Sequence, residues 1–461
     1  MRIRFLLVLL LTAVLMTGAA AGEEARPRTL LISLDAVPYW VIADLTDPAL
    51  GDEALFEGFK GPVQVVSTFP SSTSVAMVGL LQPLGLGKSP GYEAKFFDWE
   101  QLRVRGGGIV SYSKIEFPWR EFFDWGRRNP AGSAVEAVKP VKSGIKRLRK
   151  AIDEFVESDR EVFLVYMAAT DIAVHVVGPE SVKRLFVELD AMLRDARARQ
   201  PDRPFETVIF SDHGVAGGEP LINVSKSTKK ALKAAGFQVK KKLRQPGTVV
   251  MTPFGLVSNF EAYTAVENIE NVARILAGVE GVDLCTYEKS EDQWGVVGPA
   301  GTGRVERRRS DKGLEWKYVV EGEDPLDYSA VVQDLSRGED YWLGDDELFE
   351  ATKGHAYPDA FYRVTGAFDL VTNPGSVVCS TGIEYMYGAG STAAMASLGK
   401  GKLRWTHGAL NRAATMGFLM SDAHSWHAPE VVRYDRALLP FHHDLSRHPS
   451  VSAPSAGEDL D

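Results

Sequence analysis

The sequence predicts an α/β protein, a three-layer sandwich around a mostly parallel sheet, with a small antiparallel insertion. Three observations carry this. Short apolar runs alternate with longer segments of helical spacing, the pattern of a parallel sheet covered by helices on both faces. Three of those runs lead into an acidic residue, at Asp35, Asp171 and Asp212. Between Val282 and Val320 the period shortens towards two, with Gly and Asp turns, as in a peripheral antiparallel meander.

The chain begins MRIRFLLVLLLTAVLMTGAAAGEEA. Arg2 and Arg4 precede an apolar stretch, Phe5 to Met16, which reaches Ala19, Ala20 and Ala21. A positive start, an apolar core and small residues make a secretory signal over residues 1–21, cut after Ala21. The apolar stretch is short for a membrane span, and no later run is long and apolar enough to cross a bilayer. The mature chain is therefore expected to be secreted or periplasmic, without a membrane span.

Thr29 to Leu34 is apolar on both faces, as a central parallel strand should be, and ends at Asp35. Leu45 to Phe59 reads as a helix, and Val63 to Val66 as a second strand. That strand runs into Ser67, Thr68, Phe69, Pro70, Ser71, Ser72 and Thr73, followed by the apolar run Val75 to Leu81. Ser71 or Ser72 suits the N-cap of a buried helix. Helix N-termini bind anions, and a hydroxyl placed there can attack a phosphorus or sulfur centre. Taken alone, such a cluster is more often a plain cap.

Gly107 to Val110 reads as the start of a strand, Trp119 to Trp125 as a short aromatic helix and Ser143 to Val156 as a longer helix. Val162 to Met167 is the next strand; Asp171 follows, with His175 four residues on, then a helix from about Ser181 to Arg197. Glu206 to Gly217 reads ETVIFSDHGVAG, an apolar strand stopped by Ser211, Asp212, His213 and Gly214. In open α/β sheets, ligands sit beyond the carboxyl ends of the strands. Carboxylate and imidazole together suit zinc. One Asp-His-Gly by itself is more often a cap and a loop residue; three strands delivering acids to one sheet edge point to a shared metal site.

Lys226 to Lys242 is lysine-rich, helical in its first half, and reads as a solvated face. Thr248 to Met251 and Gly255 to Ser258 look like strands, Ala265 to Ala277 like a helix. After the meander come an acidic helix, Asp345 to Thr352, then His355, and a strand within Val371 to Thr381. Gly388 to Gly401 is rich in small residues. Arg404 to Asn411 contains His407 and Gly408 and precedes an apolar strand ending near Met420. These elements read as one catalytic domain over residues 22–448, with the β insertion at about 282–320 and a disordered tail at 449–461.

The whole chain has 461 residues and a net charge of −9, with 45% hydrophobic and 25% charged residues. Such a chain has no general attraction for nucleic acid or anionic lipid, so an anionic substrate needs local positive charge, which bound metal ions can supply. The two cysteines, Cys285 and Cys379, could pair in an oxidising compartment or stay as buried thiols. They form no CxxC motif.

Four patches in order, LLISLD, TFPSS, the Asp171 to His175 loop, and SDHG with a late THG, resemble the alkaline phosphatase superfamily. The resemblance is greatest to its nucleotide pyrophosphatase and type I phosphodiesterase branch, and it spans most of the mature chain. It implies the three-layer fold of that superfamily and two zinc ions. One would be held by Asp35, Asp212, His213 and the nucleophile, the other by Asp171, His175 and a late histidine. The TFP stretch is similar to the branch's TFPN, which makes Thr68 the expected nucleophile, with Thr73, Ser71 and Ser72 as fallbacks. Threonine cannot be converted to formylglycine, so sulfatase chemistry of that kind is disfavoured. For the late ligand, His407 with the following glycine is preferred over His355.

Two departures stand out. The spacing from Thr68 to Gly79 is one residue longer than the family's usual nucleophile helix. In GYEAKFFD, Ala94 with Lys95 stands where that branch keeps an asparagine for the phosphoryl oxygen; Lys95 is the candidate for the substrate anion. The resemblance implies hydrolysis of a small-molecule phosphate ester, as a phosphodiesterase. The alternatives are a phosphomonoesterase or phosphonate hydrolase on the same site, or an inactive binding protein with this fold.

Overall fold

The computed structural model describes residues 26–106, 117–126, 139–252, 257–336, 341–388 and 403–451. The expected signal, the strand expected at Gly107, most of the small-residue stretch after Gly388 and most of the tail lie outside the described residues.

Arg28–Leu34 (β1), Lys60–Val66 (β2), Val162–Met167 (β3), Phe205–Phe210 (β4), Met416–Ser421 (β5) and Val431–Arg433 (β6) form a sheet in the order β6-β2-β5-β4-β1-β3. β1 runs parallel to both its neighbours, and β6 runs parallel to β2. Only β5 opposes its neighbours, β2 and β4. The sheet is thus mixed and mostly parallel. Leu34 pairs with Met167, and Ser33 with Phe210, so β1, β3 and β4 end level with one another. That alignment brings the residues after each strand to one edge.

The helices around this sheet are Tyr39–Thr46 (α1), Thr73–Leu81 (α2), Pro140–Glu157 (α3), Ala169–Val176 (α4), Lys183–Arg199 (α5) and Ala360–Asp369 (α6). Side chains alternate across a strand, and here both faces are apolar. Leu30, Ile32, Leu34, Phe163, Val165 and Met167 face a core shared with α1, α3 and α5. Leu31, Leu164, Val208 and Phe210 face the opposite core, shared with α2 and α6. α3 shows why it lies where it does: Leu148, Ala151, Ile152 and Phe155 recur at helical spacing and are buried, forming one apolar stripe. The larger of these, Leu148, Ile152 and Phe155, each contribute about 1.5–3 kcal/mol on full burial. α2 has no polar face. Every residue from Ser74 to Leu81 is buried. A Cβ at Gly79 would stand 2.6 Å from both Thr68 Cγ2 and Tyr434 Cδ2, so glycine lets the helix lie close on the turn before it.

The helix expected over Leu45 to Phe59 is displaced. α1 ends at Thr46, and a 3-10 turn, Pro48–Glu53, follows with Asp47 capping it through Ala49 N at 2.8 Å. Proline disfavours the helical conformation in the residue before it, so Pro48 stops the helix that hydropathy alone would extend.

The antiparallel region is larger than expected. The strands within residues 282–322 are part of a nine-stranded sheet that also takes in Leu343–Gly344, Val377–Thr381, Asn259–Tyr263, Thr248–Met251 and Gln238–Lys240. All its pairings are antiparallel except that of the last two strands. Cys285 and Cys379 lie opposite each other on neighbouring strands and form a disulfide, so the choice left open by sequence resolves to pairing. Trp294, Trp316 and Tyr318 of this sheet join the core that contains α2 and α6. Among the described residues no helix is long and apolar enough to cross a membrane.

Candidate metal centre

Three strand ends supply most of the site. Asp35 follows β1, Asp212 and His213 follow β4, and Asp171 and His175 share one face of α4, four residues apart, just after β3. Ala36 adopts φ 60°, a conformation uncommon for a residue with a Cβ. It turns the Ala36 amide to donate to Asp212 Oδ1 at 3.2 Å. Val37 N donates to Ser211 Oγ at 2.9 Å, so the β1 and β4 loops brace each other. His407 arrives from the far end of the chain. The next residue, Gly408, has φ 107°, and a Cβ there would lie 2.1 Å from Asn259 Oδ1; only glycine fits that turn.

The six side chains form two groups, Asp35 with Asp212 and His213, and Asp171 with His175 and His407. Within each, the candidate ligand atoms all lie within 4.8 Å of one another. His213 Nε2 stands 3.4 Å from Asp212 Oδ2 and 3.8 Å from Asp35 Oδ1. His175 Nε2 and His407 Nε2 stand 3.1 and 3.6 Å from Asp171 Oδ1. The first group is fully buried; Asp171 and His175 are half-buried and form the open side.

The imidazoles are oriented alike. His213 Nδ1 is 3.0 Å from Gly214 O, His175 Nδ1 is 2.9 Å from Trp405 O, and His407 Nδ1 is 3.1 Å from Ser71 O. A carbonyl can only accept, so each Nδ1 carries a proton and each ring turns Nε2 to the carboxylates, where its lone pair can serve a cation. This is the arrangement by which metal-ligating histidines are held. Among the described residues, Asp212 Oδ2 and His213 Nε2 are buried without a hydrogen-bond partner, which a bound cation would offset. The donor set therefore fits two metal ions.

Electrostatics agree. Burial, then Asp35, pushes the Asp212 carboxyl well above its usual range. Burial pushes His213 down to about 4, and burial with His213 and His175 holds His407 well below the usual imidazole value. For His175 burial also acts downward, but Asp171 outweighs it and leaves the ring raised. His175 and His407 share Asp171 yet shift oppositely because His175 is nearer to it and His407 faces two other imidazoles. A carboxyl that resists ionisation, at Asp212, and rings held towards the neutral form, at His213 and His407, are what a cation would reverse and use.

The expected nucleophile is placed differently. Thr68 is fully buried, and its Oγ1 donates to Pro70 O at 2.9 Å. The hydroxyl that meets the centre is that of Thr73, the first residue of α2, whose Oγ1 donates to Asp35 Oδ1 at 3.1 Å. Of the other fallbacks, Ser71 Oγ donates to Ala409 O and Ser72 Oγ to Tyr92 O, both at 3.1 Å, which fixes loops instead. His355 lies apart, accepting from Tyr357 N at 3.1 Å and packed edge-on to Tyr328. Lys95 is half-buried at the start of strand Lys95–Asp98. It has no hydrogen bond or ion pair with either group among the described residues, and the charges acting on it are those of Lys241 and Lys229.

Two residues of the site were not singled out in the sequence. The Tyr166 hydroxyl donates to Asp35 Oδ2, and Tyr166 sits on β3 beside Ser33. The Glu93 carboxyl is pushed up to about 8, by desolvation first and then by Glu261, Asp171 and Asp35. Neither carries a motif of its own.

The fold and site define a mixed α/β protein with a two-part carboxylate and imidazole centre at one sheet edge. No family model matches the chain, and no curated protein does. Among solved structures it is similar to human ectonucleotide pyrophosphatase/phosphodiesterase 5, at 12% identity and TM-score 0.49, covering 91% of this chain and 95% of that one. The murine counterpart gives 12% and 0.48 over the same shares. Phosphonoacetate hydrolase from Sinorhizobium meliloti 1021, in complex with phosphonoformate, gives 10% and 0.46, again covering 91% and 95%.

Proposed function

We propose that the chain is an exported, metal-dependent hydrolase of phosphate esters, a phosphodiesterase, in which Thr73 attacks phosphorus beside two zinc ions. One observation carries the reading: three imidazoles, each tied by Nδ1 to a main-chain carbonyl, turn Nε2 towards three carboxylates. Nitrogen and carboxylate donors suit zinc. Asp35, Asp212 and His213 would hold one ion, and Asp171, His175 and His407 the other. Bound there, the ions would neutralise phosphoryl oxygens and lower the pKa of an adjacent hydroxyl.

The chain's own groups do the rest. Asp35 Oδ1 holds Thr73 Oγ1, and the Tyr166 hydroxyl holds the other oxygen of the same carboxylate, so the attacking oxygen has a fixed origin. The N-terminus of α2 turns main-chain amides and a positive dipole end towards an anion beside Thr73. Thr73 Oγ1 gives its proton to solvent water and forms a bond to phosphorus while the bond to the leaving oxygen breaks, and that oxygen takes up a proton from solvent water to depart as the alcohol. Water then cleaves the phosphothreonine, returning the hydroxyl and releasing phosphate monoester.

Turnover of bis-p-nitrophenyl phosphate against p-nitrophenyl phosphate tests whether the substrate is a diester. Faster diester hydrolysis is expected. Monoester hydrolysis alone would overturn the diester assignment, and two zinc equivalents with no turnover of either would leave a binding protein.

A further inference from the structure

Arg363, on α6, is fully buried. Its guanidinium has five N–H donors, and all five find acceptors. Nε donates to Ser67 O at 2.8 Å, Nη1 to Pro358 O at 3.0 Å and Leu410 O at 2.8 Å, and Nη2 to Thr68 O at 3.2 Å and Thr415 Oγ1 at 2.6 Å. No carboxylate is ion-paired to it among the described residues. Burial lowers its pKa only to about 10, so it is a cation at neutral pH. Burying a charge without an ion partner is costly, and core packing alone would be met by an apolar side chain.

What it joins explains its presence. Ser67 and Thr68 begin the loop that delivers Thr73. Leu410 and Thr415 lie on the segment that follows His407. The same two segments touch directly: Ser71 O accepts from His407 Nδ1, Ser71 Oγ accepts from Gly408 N at 3.1 Å, and Ser71 Oγ donates to Ala409 O. We infer that Arg363 is a positioning residue, which fixes the attacking hydroxyl of Thr73 relative to the ligand His407. This rests on the two-metal reading of the centre. A planar fork can bridge two loops; a lysine, a point charge on a flexible stem, holds one.

The test compares Arg363→Met and Arg363→Lys with the wild type, assayed well below each variant's Tm. Metal-stripped protein is also titrated with zinc against a chelating dye. In both variants kcat for bis-p-nitrophenyl phosphate is expected to fall by at least about tenfold with KM changed far less, since small misplacements of reacting groups cost rate. One zinc equivalent should bind more weakly, by about tenfold or more, and the other as in the wild type, because only His407 depends on this bridge. Arg363→Lys should regain thermal stability over Arg363→Met without regaining kcat. Should neither fold, Thr415→Val removes one acceptor and is expected to show the same changes, smaller in size. Variants that match the wild type in kcat and in both zinc affinities overturn the role. A wild type that holds no zinc and turns over no ester defeats the two-metal reading instead.

Discussion

The rings of His213 and His407 stack 4.2 Å apart at 25°. His213 belongs to the group of Asp35 and Asp212, His407 to that of Asp171 and His175. The stack therefore joins two sets of donors, drawn from strand ends far apart in the chain, into one centre. Thr73 meets that centre through Asp35.

The choice of threonine is directly testable. Thr73→Ala should keep its metal content and lose about a thousandfold or more in kcat, because a nucleophile is removed and not a ligand set. Thr68→Val loses one buried hydrogen bond, to Pro70 O, worth about 1 kcal/mol of stability, and should turn over within about threefold of the wild type. Steady-state rates with zinc analysis of both variants decide. The reverse pattern would return the role to Thr68.

Stability should depend on pH through Glu261. Burial pushes its carboxyl up to about 7, although Thr252 and Asn259 donate to it and act in the opposite direction. Between the ordinary value of 4.5 and about 7, the folded chain retains a proton that the unfolded chain has released. Stability therefore falls as pH rises through that window, by on the order of 2–3 kcal/mol. Denaturant unfolding of metal-free protein at pH 5 and pH 8 measures it. Glu261→Gln should flatten part of the slope, and Glu93 and Asp359, raised to about 8 and about 7, supply the remainder in the same direction.

The disulfide closes a separation of 94 residues between neighbouring strands. Replacing Cys285 and Cys379 together by alanine should cost about 2–5 kcal/mol. The loss should appear as a lower Tm with little change in kcat, since neither cysteine lies in the donor groups. Loss of zinc in this variant would tie the second sheet to the centre more closely than its contacts suggest.

Much of the fold was legible because its signals are local. β1, β3 and β4 are apolar runs, and the residues that stop them, Asp35 and Asp212 among them, are those that reach the sheet edge. The helix from Lys183 and the helix from Ile269 follow from spacing in the same way. The meander within 282–322 was legible because its hairpins are local, but the extent of the second sheet was hidden because its other joins are long-range: nothing near Val282 announces Thr381 as its partner. The false helix after Leu45 came from weighing hydropathy above Pro48. Thr68 was preferred because a family pattern was read by its letters. Ser71 and Ser72 were both open as the N-cap; the structure takes Ser72, which makes Thr73 the first residue of α2, the one whose hydroxyl stands at the helix mouth. Arg363 was not legible at all, since a buried cation serving main-chain carbonyls has no motif.

The central claim is that the two donor groups each hold an ion, and elemental analysis of purified protein tests it most directly. Two zinc equivalents per chain are expected, with Asp212→Asn and His175→Ala each retaining about one and each losing turnover of bis-p-nitrophenyl phosphate. A wild-type protein that holds no metal after zinc reconstitution, or an Asp212→Asn variant that keeps both ions and full turnover, would contradict it.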